Sequence, residues 1–572
     1  MFGKTICVTI RANRGNSNMR KKLLVGLLTC AMVVSLGACG GTDTGSETLN
    51  QNNSKEDTTV EVDENETASS MKVVICNKNY YEYDDEIETN LFSGSVEGVV
   101  LADESKDAYP KLYESLESAW EEKLKSGDEN AETMASDARS LYDEMLSYDT
   151  DMSYFMSYES DQEANVCRAD EKVLSYRVGF SEFMGGAHGM YGNGGYTYDV
   201  QTGNELKLSD VITDLDAYGN LLYERVASDY SHVLEEYDDA SQVQDMILEE
   251  VKGDVTNWVL EADGIVYFFN PYDIASYAAG AQTVKISYNE AKEIFNEDYL
   301  PDENNAYITS GDEFIFDWDS DGDLNYLTVT QHYDDSADGD YGIEGNYNGF
   351  SINENYEEVA ALAEDIYLYS IKAYMVYFPD ATPYLLVDCG TENDYHVLVV
   401  CDMSDGKATE VGRYDVKQGV LDYDSDTGVS KIYAYTDLNA LEMTEHFDRL
   451  STYDAGGEYQ FLEDGTLSAL SEYAHIKEWI RDSFELTTLK DITADVVNED
   501  GEVIESDIQI SAGEKLSIYR TAYPSDAMES SVDCLLEDGR IVRFEYVSDG
   551  EGNRTVSGEN EADIFDGIMY AG

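Results

Sequence analysis

The chain has 572 residues, of which 42% are apolar; 118 Asp and Glu stand against 36 Lys and Arg, giving a net charge of -82. Apolar content of that order, with 45 Tyr, is enough to build real cores, so disorder throughout is excluded and the length predicts three or four domains. The charge makes nucleic acid and anionic lipid surfaces poor partners, and it would draw in cations and basic proteins.

From the N-terminus, Met19-Arg20-Lys21-Lys22 is basic, Leu23 to Leu36 is an apolar run of 14 residues, and Leu36-Gly37-Ala38-Cys39 has the small residues of a cleavage site beside a cysteine. The pattern predicts a lipoprotein signal peptide over residues 1–38 with its start at Met19. The run is shorter than the roughly 20 residues that a spanning helix needs. Lipidation of Cys39 would anchor the chain to the extracytoplasmic face of a bacterial plasma membrane. Residues 39–70, rich in Gly, Thr, Ser, Asn, Asp and Glu, predict a flexible tether.

Residues 71–298 read as an α+β domain. Leu112, Leu116, Trp120 and Leu124 lie at helical spacing in a segment that stops before Gly127, and Met134, Ala138, Leu141 and Met145 repeat the pattern, predicting two amphipathic helices. Glycine-rich strands follow around Tyr196 to Val200, then a helix from about 216 to 234, then strands near 265–269 and 283–288. Residues 305–486 read as a β-rich domain with Asp/Gly loops, a sandwich or part of a propeller, closed by a helix over 467–484 with Leu470, Tyr473, Ile476 and Ile480 inward. Residues 487–572 read as a small β unit whose clearest hairpin turns at Glu537-Asp538-Gly539. Beyond the signal peptide and Cys39, five cysteines remain: Cys76, Cys167, Cys389, Cys401 and Cys534. An odd number leaves at least one free; a turn at Gly390 to Asp394 would set Cys389 opposite Tyr395, too far from Cys401 to bridge.

The densest local signal is Phe183 to Asp210, FMGGAHGMYGNGGYTYDVQTGNELKLSD, whose glycines allow positive φ or close backbone approach. Together with Arg168-Ala169-Asp170, Val173 to Ser175, LKLSDVI at Leu206 to Ile212 and YFFNPYDIASYAAGAQTVKI from Tyr267 to Ile286, it resembles the extracytoplasmic domain of RsiV-type anti-sigma factors, also found beside the deacetylase domain of PdaC-type envelope enzymes. The resemblance covers residues 72–298. It implies an RsiV-like α+β fold and a non-enzymatic module that binds a lysozyme-like protein or cell-wall glycan. The chain lacks an anti-sigma segment before its apolar run and any deacetylase-like sequence after the shared region, so transmembrane signalling by that route is not expected.

Several residues are candidates for chemistry. Asp317, Asp319, Asp321, Asp323 and Asn325 alternate around Gly322, an arrangement suited to calcium, although Thr328 stands where an EF-hand has Glu. Asp422, Asp424 and Asp426 before Gly428 form a second acidic loop. His188 in GGAHG, and Tyr272, Asp273 and Tyr277, are ligand-contact candidates, the last three as an interface anchor for a cationic partner or else as a tyrosine-rich core edge. No catalytic group is assigned, because neither HExxH nor a nucleophile elbow occurs. The leading expectation is a lipid-anchored envelope binding protein without enzymatic activity; the alternatives are an enzyme acting on envelope polysaccharide and a calcium-stabilised adhesive lipoprotein.

Overall fold

The computed structural model of the protein describes residues 71–253, 255–338, 344–379, 383–550 and 552–570. The expected signal peptide, Cys39 and the tether lie outside the described residues. The described residues group within one compact unit. No helix of the described residues is long and apolar enough to cross a membrane.

The first region is a mixed α/β assembly. Strands β1 (Val73–Asp84) and β2 (Thr89–Leu101) form an antiparallel pair, and helix α1 (Pro110–Ser147) then crosses to β3 (Tyr158–Ala169), which runs parallel to β2. A parallel neighbour requires such a crossover. Antiparallel strands β4 (Val173–Phe183) and β5 (Met190–Asp199) complete this side of the sheet. The two helices expected over 109–145 are one, because Gly127 does not end the first. A Cβ there would lie 2.8 Å from the Tyr80 hydroxyl and 3.2 Å from Val96 Cγ1, so the glycine lets the helix lie close on the sheet. Its stripe continues from Leu112 and Leu116 through Trp120 to Met134 and Ala138, all buried against β1 to β3.

Helices α2 (Leu215–Asp229) and α3 (Ser241–Lys252) pack on a three-stranded sheet of β6 (Trp258–Leu260), β7 (Gly264–Phe269) and β8 (Gln282–Ser287). Their core joins Tyr218, Leu222, Val226, Val243 and Ile247 to Trp258, Ile265, Tyr267, Phe269 and Ile286. Gly195 on β5 lies directly under the Trp258 carbonyl, so the sheet carrying β6 sits on that part of the glycine-rich motif.

Extensive β-sheet follows. Strands β9 (Tyr307–Gly311), β10 (Glu313–Phe316), β11 (Asn325–Asp338), β12 (Glu344–Glu354), β13 (Glu357–Tyr367), β14 (Ser370–Tyr377), β15 (Tyr384–Gly390), β16 (His396–Asp402) and β17 (Thr409–Tyr414) build two sheets, in the orders β10-β11-β12-β13 and β17-β16-β15-β14-β9. One face of the second sheet packs on the first through Met375, Leu385, Val387 and Val399; the other packs on the C-terminal sheet through Tyr374, Leu386, Leu398 and Val400. Strands β18 (Val416–Gln418), β19 (Val420–Asp424) and β20 (Val429–Tyr433) then divide: β20 pairs with β1 and so extends the first sheet, while β18 begins the C-terminal one.

The helix expected over 467–484 is replaced by short strands at Leu467–Ala469 and Tyr473–His475, followed by one α-helical turn at Glu478–Arg481 and a 3-10 turn at Asp482–Phe484. Tertiary contacts override the helical spacing: Tyr473 pairs with Ala522 in the sheet, and its ring carries the Arg520 and Arg543 guanidiniums at 4.5 and 4.8 Å. Leu470, expected inward, is exposed. The boundary expected near 486 falls inside this sheet, since Tyr473–His475 and Glu485–Thr488 both pair with Lys515–Ala522. The hairpin at Glu537 to Gly539 joins Glu529–Leu536 to Ile541–Ser548 as expected. The five cysteines of the described residues are free and buried. Cys389 sits opposite Val397 rather than Tyr395, because the turn closes on the Gly390 and His396 pair.

Candidate functional site

The sequence candidates His188 and Tyr277 meet on the surface. The short turn after β4 carries His188, whose ring stacks on Tyr277 at 4.0 Å between centroids and 25° between planes. Tyr191 at the start of β5 meets the same tyrosine edge-on at 5.8 Å, and the Tyr272 ring lies tilted 5.8 Å from it. His188, Tyr191 and Tyr272 are exposed, Tyr272 by 57%. Tyr272 also holds φ at 81°, a conformation costly for a bulky L-residue. Asp273 does not join the platform. Its carboxylate turns inward, accepting from the Asn270 N–H at 2.7 Å and from Asn257 Nδ2 at 3.4 Å, and so holds the loop that presents Tyr272. Beneath it, burial and then the neighbouring Asp273 push the Glu250 carboxyl up to about 7. The composition of segment 271–277 gave Tyr272 and Tyr277; Tyr191 gave no separate signal because it lay inside the glycine motif.

At Gly280 the platform adjoins a groove of about 660 Å³, with the Tyr191 hydroxyl 3.7 Å from where a Gly280 Cβ would stand. One wall is Arg225, Asp229, Tyr230 and His232 at the end of α2; the opposite wall is Leu324 and Tyr326 with the β12–β13 hairpin tip, Asn355 and Tyr356. The floor runs between the edge strands β8 and β10. Lys285 bridges them, ion-paired to Glu261 at 2.9 Å and to Asp263, and donating to the Ile315 carbonyl at 2.7 Å. Burial alone would lower its pKa, but Asp263 and Glu261 outweigh it and hold the ammonium above the usual lysine range. Glu313, half-buried beside the floor, is shifted upward by burial against the opposing pull of Arg177. Nothing in the local sequence announced this groove, whose walls come from segments far apart in the chain.

Asp317, Asp319 and Asp321 gather with their ligand oxygens all within 4.8 Å of one another, on an exposed loop. The loop winds inward because Asp317 accepts from the Asp321 and Gly322 N–H groups. Three carboxylates so placed could hold a divalent cation. Asp323 is not in this group, and Asn325 is spent on the Trp318 N–H and Glu354. Asp422 in the second acidic loop stands in β19 opposite Lys431, and among the described residues that loop forms no three-residue group.

The α2 to β8 segment decides the comparison with known families. Residues 209–289 match the family described as "Protein of unknown function (DUF3298)". This corrects the resemblance to an RsiV-type anti-sigma ectodomain: YFFNPYDIASYAAGAQTVKI, one of the stretches that carried it, lies wholly within the DUF3298 match. Neither of the ligands implied by that resemblance, a lysozyme-like protein or cell-wall glycan, draws support from it any longer. Several solved structures are similar, among them two of this family. One is a DUF3298 family member from Bacteroides fragilis NCTC 9343, 21% identical over 40% of this chain and 96% of that one, with a TM-score of 0.32. The other is a DUF3298 family protein from Pseudomonas aeruginosa PAO1, 16% identical over 41% of this chain and 99% of that one, with a TM-score of 0.27. At such TM-scores the likeness carries no structural conclusion. No curated protein matches the chain.

Proposed function

We propose that the chain is a lipid-anchored, extracytoplasmic binding protein of the bacterial envelope, without enzymatic activity, and that it takes cell-wall glycan on the aromatic platform of His188, Tyr191, Tyr272 and Tyr277. The platform carries this reading: exposed rings from two separate segments are held against one another, and Tyr272 keeps its place despite φ of 81°. Rings fixed in this way offer flat apolar faces to sugar C–H groups at little entropic cost. The signal peptide, Cys39 and tether expected from the sequence support this reading: they would hold the module outside the plasma membrane and extend it towards the wall.

Co-sedimentation of the full chain with protein-free cell-wall glycan tests this. The wild type is expected in the pellet, and Tyr272→Ala and Tyr277→Ala should each weaken binding by more than about 1 kcal/mol, or roughly fivefold. Product release from the same glycan by the wild type would refute the non-enzymatic reading.

The acidic loop supports a second, compatible proposal, calcium as a stabilising ion at Asp317, Asp319 and Asp321. Calcium at a hundredfold excess over Kd should stabilise the fold by about 2.7 kcal/mol, and Asp319→Asn with Asp321→Asn should abolish the shift in Tm. A melting temperature indifferent to both calcium and EDTA removes the ion from the account.

A further inference from the structure

We infer that the groove between α2, β8 and the β12–β13 hairpin is the main glycan subsite, that its ligand is an uncharged oligosaccharide, and that Tyr356 is the wall on which a sugar ring packs. The inference rests on the glycan reading of the platform and deepens it. The hairpin from Glu354 to Glu357 turns through two residues, Asn355 at φ 47° and Tyr356 at φ 69°. Two-residue turns with positive φ at both positions favour Asn-Gly, because glycine alone takes the second position without strain. A tyrosine stands there instead, 73% exposed, so its own burial does not offset the cost. Its ring leans on Tyr326 at 5.7 Å, and the Asn355 N–H is tied to the Tyr326 carbonyl, which fixes the tip over the groove. An exposed aromatic held in strained backbone at the lip of a cavity points to a contact role.

The lining sets the ligand class. The groove's cations among the described residues are already balanced, Arg225 by Glu290 at 2.8 Å and Lys285 by Glu261 and Asp263, so neither waits for a carboxylate or phosphate. The net charge of -82 repels polyanions as well. A peptide strand added between the two edge strands would need their backbone groups. The Thr283 carbonyl, however, accepts from the Tyr230 hydroxyl, and the Ile315 carbonyl from Lys285. Tyrosine faces with amide and imidazole groups at the rim, from Asn355 and His232, suit a neutral sugar whose hydroxyls and acetamides both donate and accept.

Tyr356→Gly in the full chain separates binding from stability. Relief of the positive φ should raise Tm, whereas affinity for an uncharged N-acetylglucosamine oligomer, read by calorimetric titration, should fall by about tenfold. Tyr356→Phe should keep most of the affinity. Wild-type affinity in Tyr356→Gly, while Tyr272→Ala still weakens binding, would overturn the groove and leave the platform as the whole site. A wild type that ignores the oligomer but binds an extended peptide would overturn the groove and the glycan reading together, and a lower Tm in Tyr356→Gly would overturn the strain argument for a contact role.

Discussion

Lys285→Met is expected to destabilise the protein by about 3–5 kcal/mol, measured by denaturant unfolding at neutral pH. The Lys285 side chain is fully buried and holds Glu261 and Asp263, of which Glu261 is itself only 9% exposed. Methionine fills much the same volume but leaves the two carboxylates without a counter-charge, and the Ile315 carbonyl loses its donor. The double variant Lys285→Met with Glu261→Gln should recover a substantial part of the loss, because an amide in place of the buried charge tolerates the missing partner. If the single and double variants are equally destabilised, the ion pairs are not what joins β8 to β10 under the groove.

Gly195→Ala should cost about 3 kcal/mol or more, while Gly194→Ala next to it should change stability by no more than about 1 kcal/mol. A Cβ on Gly195 would stand 1.8 Å from the Trp258 carbonyl oxygen and 2.9 Å from Val259 Cγ1, whereas a Cβ on Gly194 meets nothing within 4 Å. Backbone cannot yield as a flexible side chain does, so the alanine must push β6 off β5. Thermal unfolding of the two variants side by side is the check. Equal losses would mean that the glycines of this motif serve strand conformation rather than the approach of β6.

These contrasts bear on what the sequence could reveal. The GGYTYDV run announced a strand, and the structure adds that Gly195 serves a contact invisible from local pattern, made with a residue more than sixty positions away. The apolar stripe of α1 was legible on both sides of Gly127; only the meaning of the glycine was misread, since close packing and helix termination leave the same letter. Leu470, Tyr473, Ile476 and Ile480 fit a helical period equally well, and the choice fell to Tyr473 and its two arginine neighbours. Of the candidate site, His188, Tyr272 and Tyr277 were readable from aromatics in glycine-rich or Pro-containing loops. The inward hydrogen bonds of Asp273 were not readable, because a carboxylate in a turn serves the turn's own N–H groups as readily as a ligand. Tyr356 could not be found, because positive φ is a property of the turn it closes and not of its neighbours in sequence.

The most direct measurement is the affinity of the full chain for an uncharged N-acetylglucosamine oligomer at low salt and at about 1 M salt, where the Debye length falls to about 3 Å. Aromatic packing and neutral hydrogen bonds are largely indifferent to screening, so binding should persist with little change in Kd, and Tyr272→Ala and Tyr356→Gly should each weaken it at both salts. No binding of the oligomer at either salt, together with capture of unrelated basic proteins that vanishes as salt rises, would contradict the account and leave the chain's charge as the only basis of its associations.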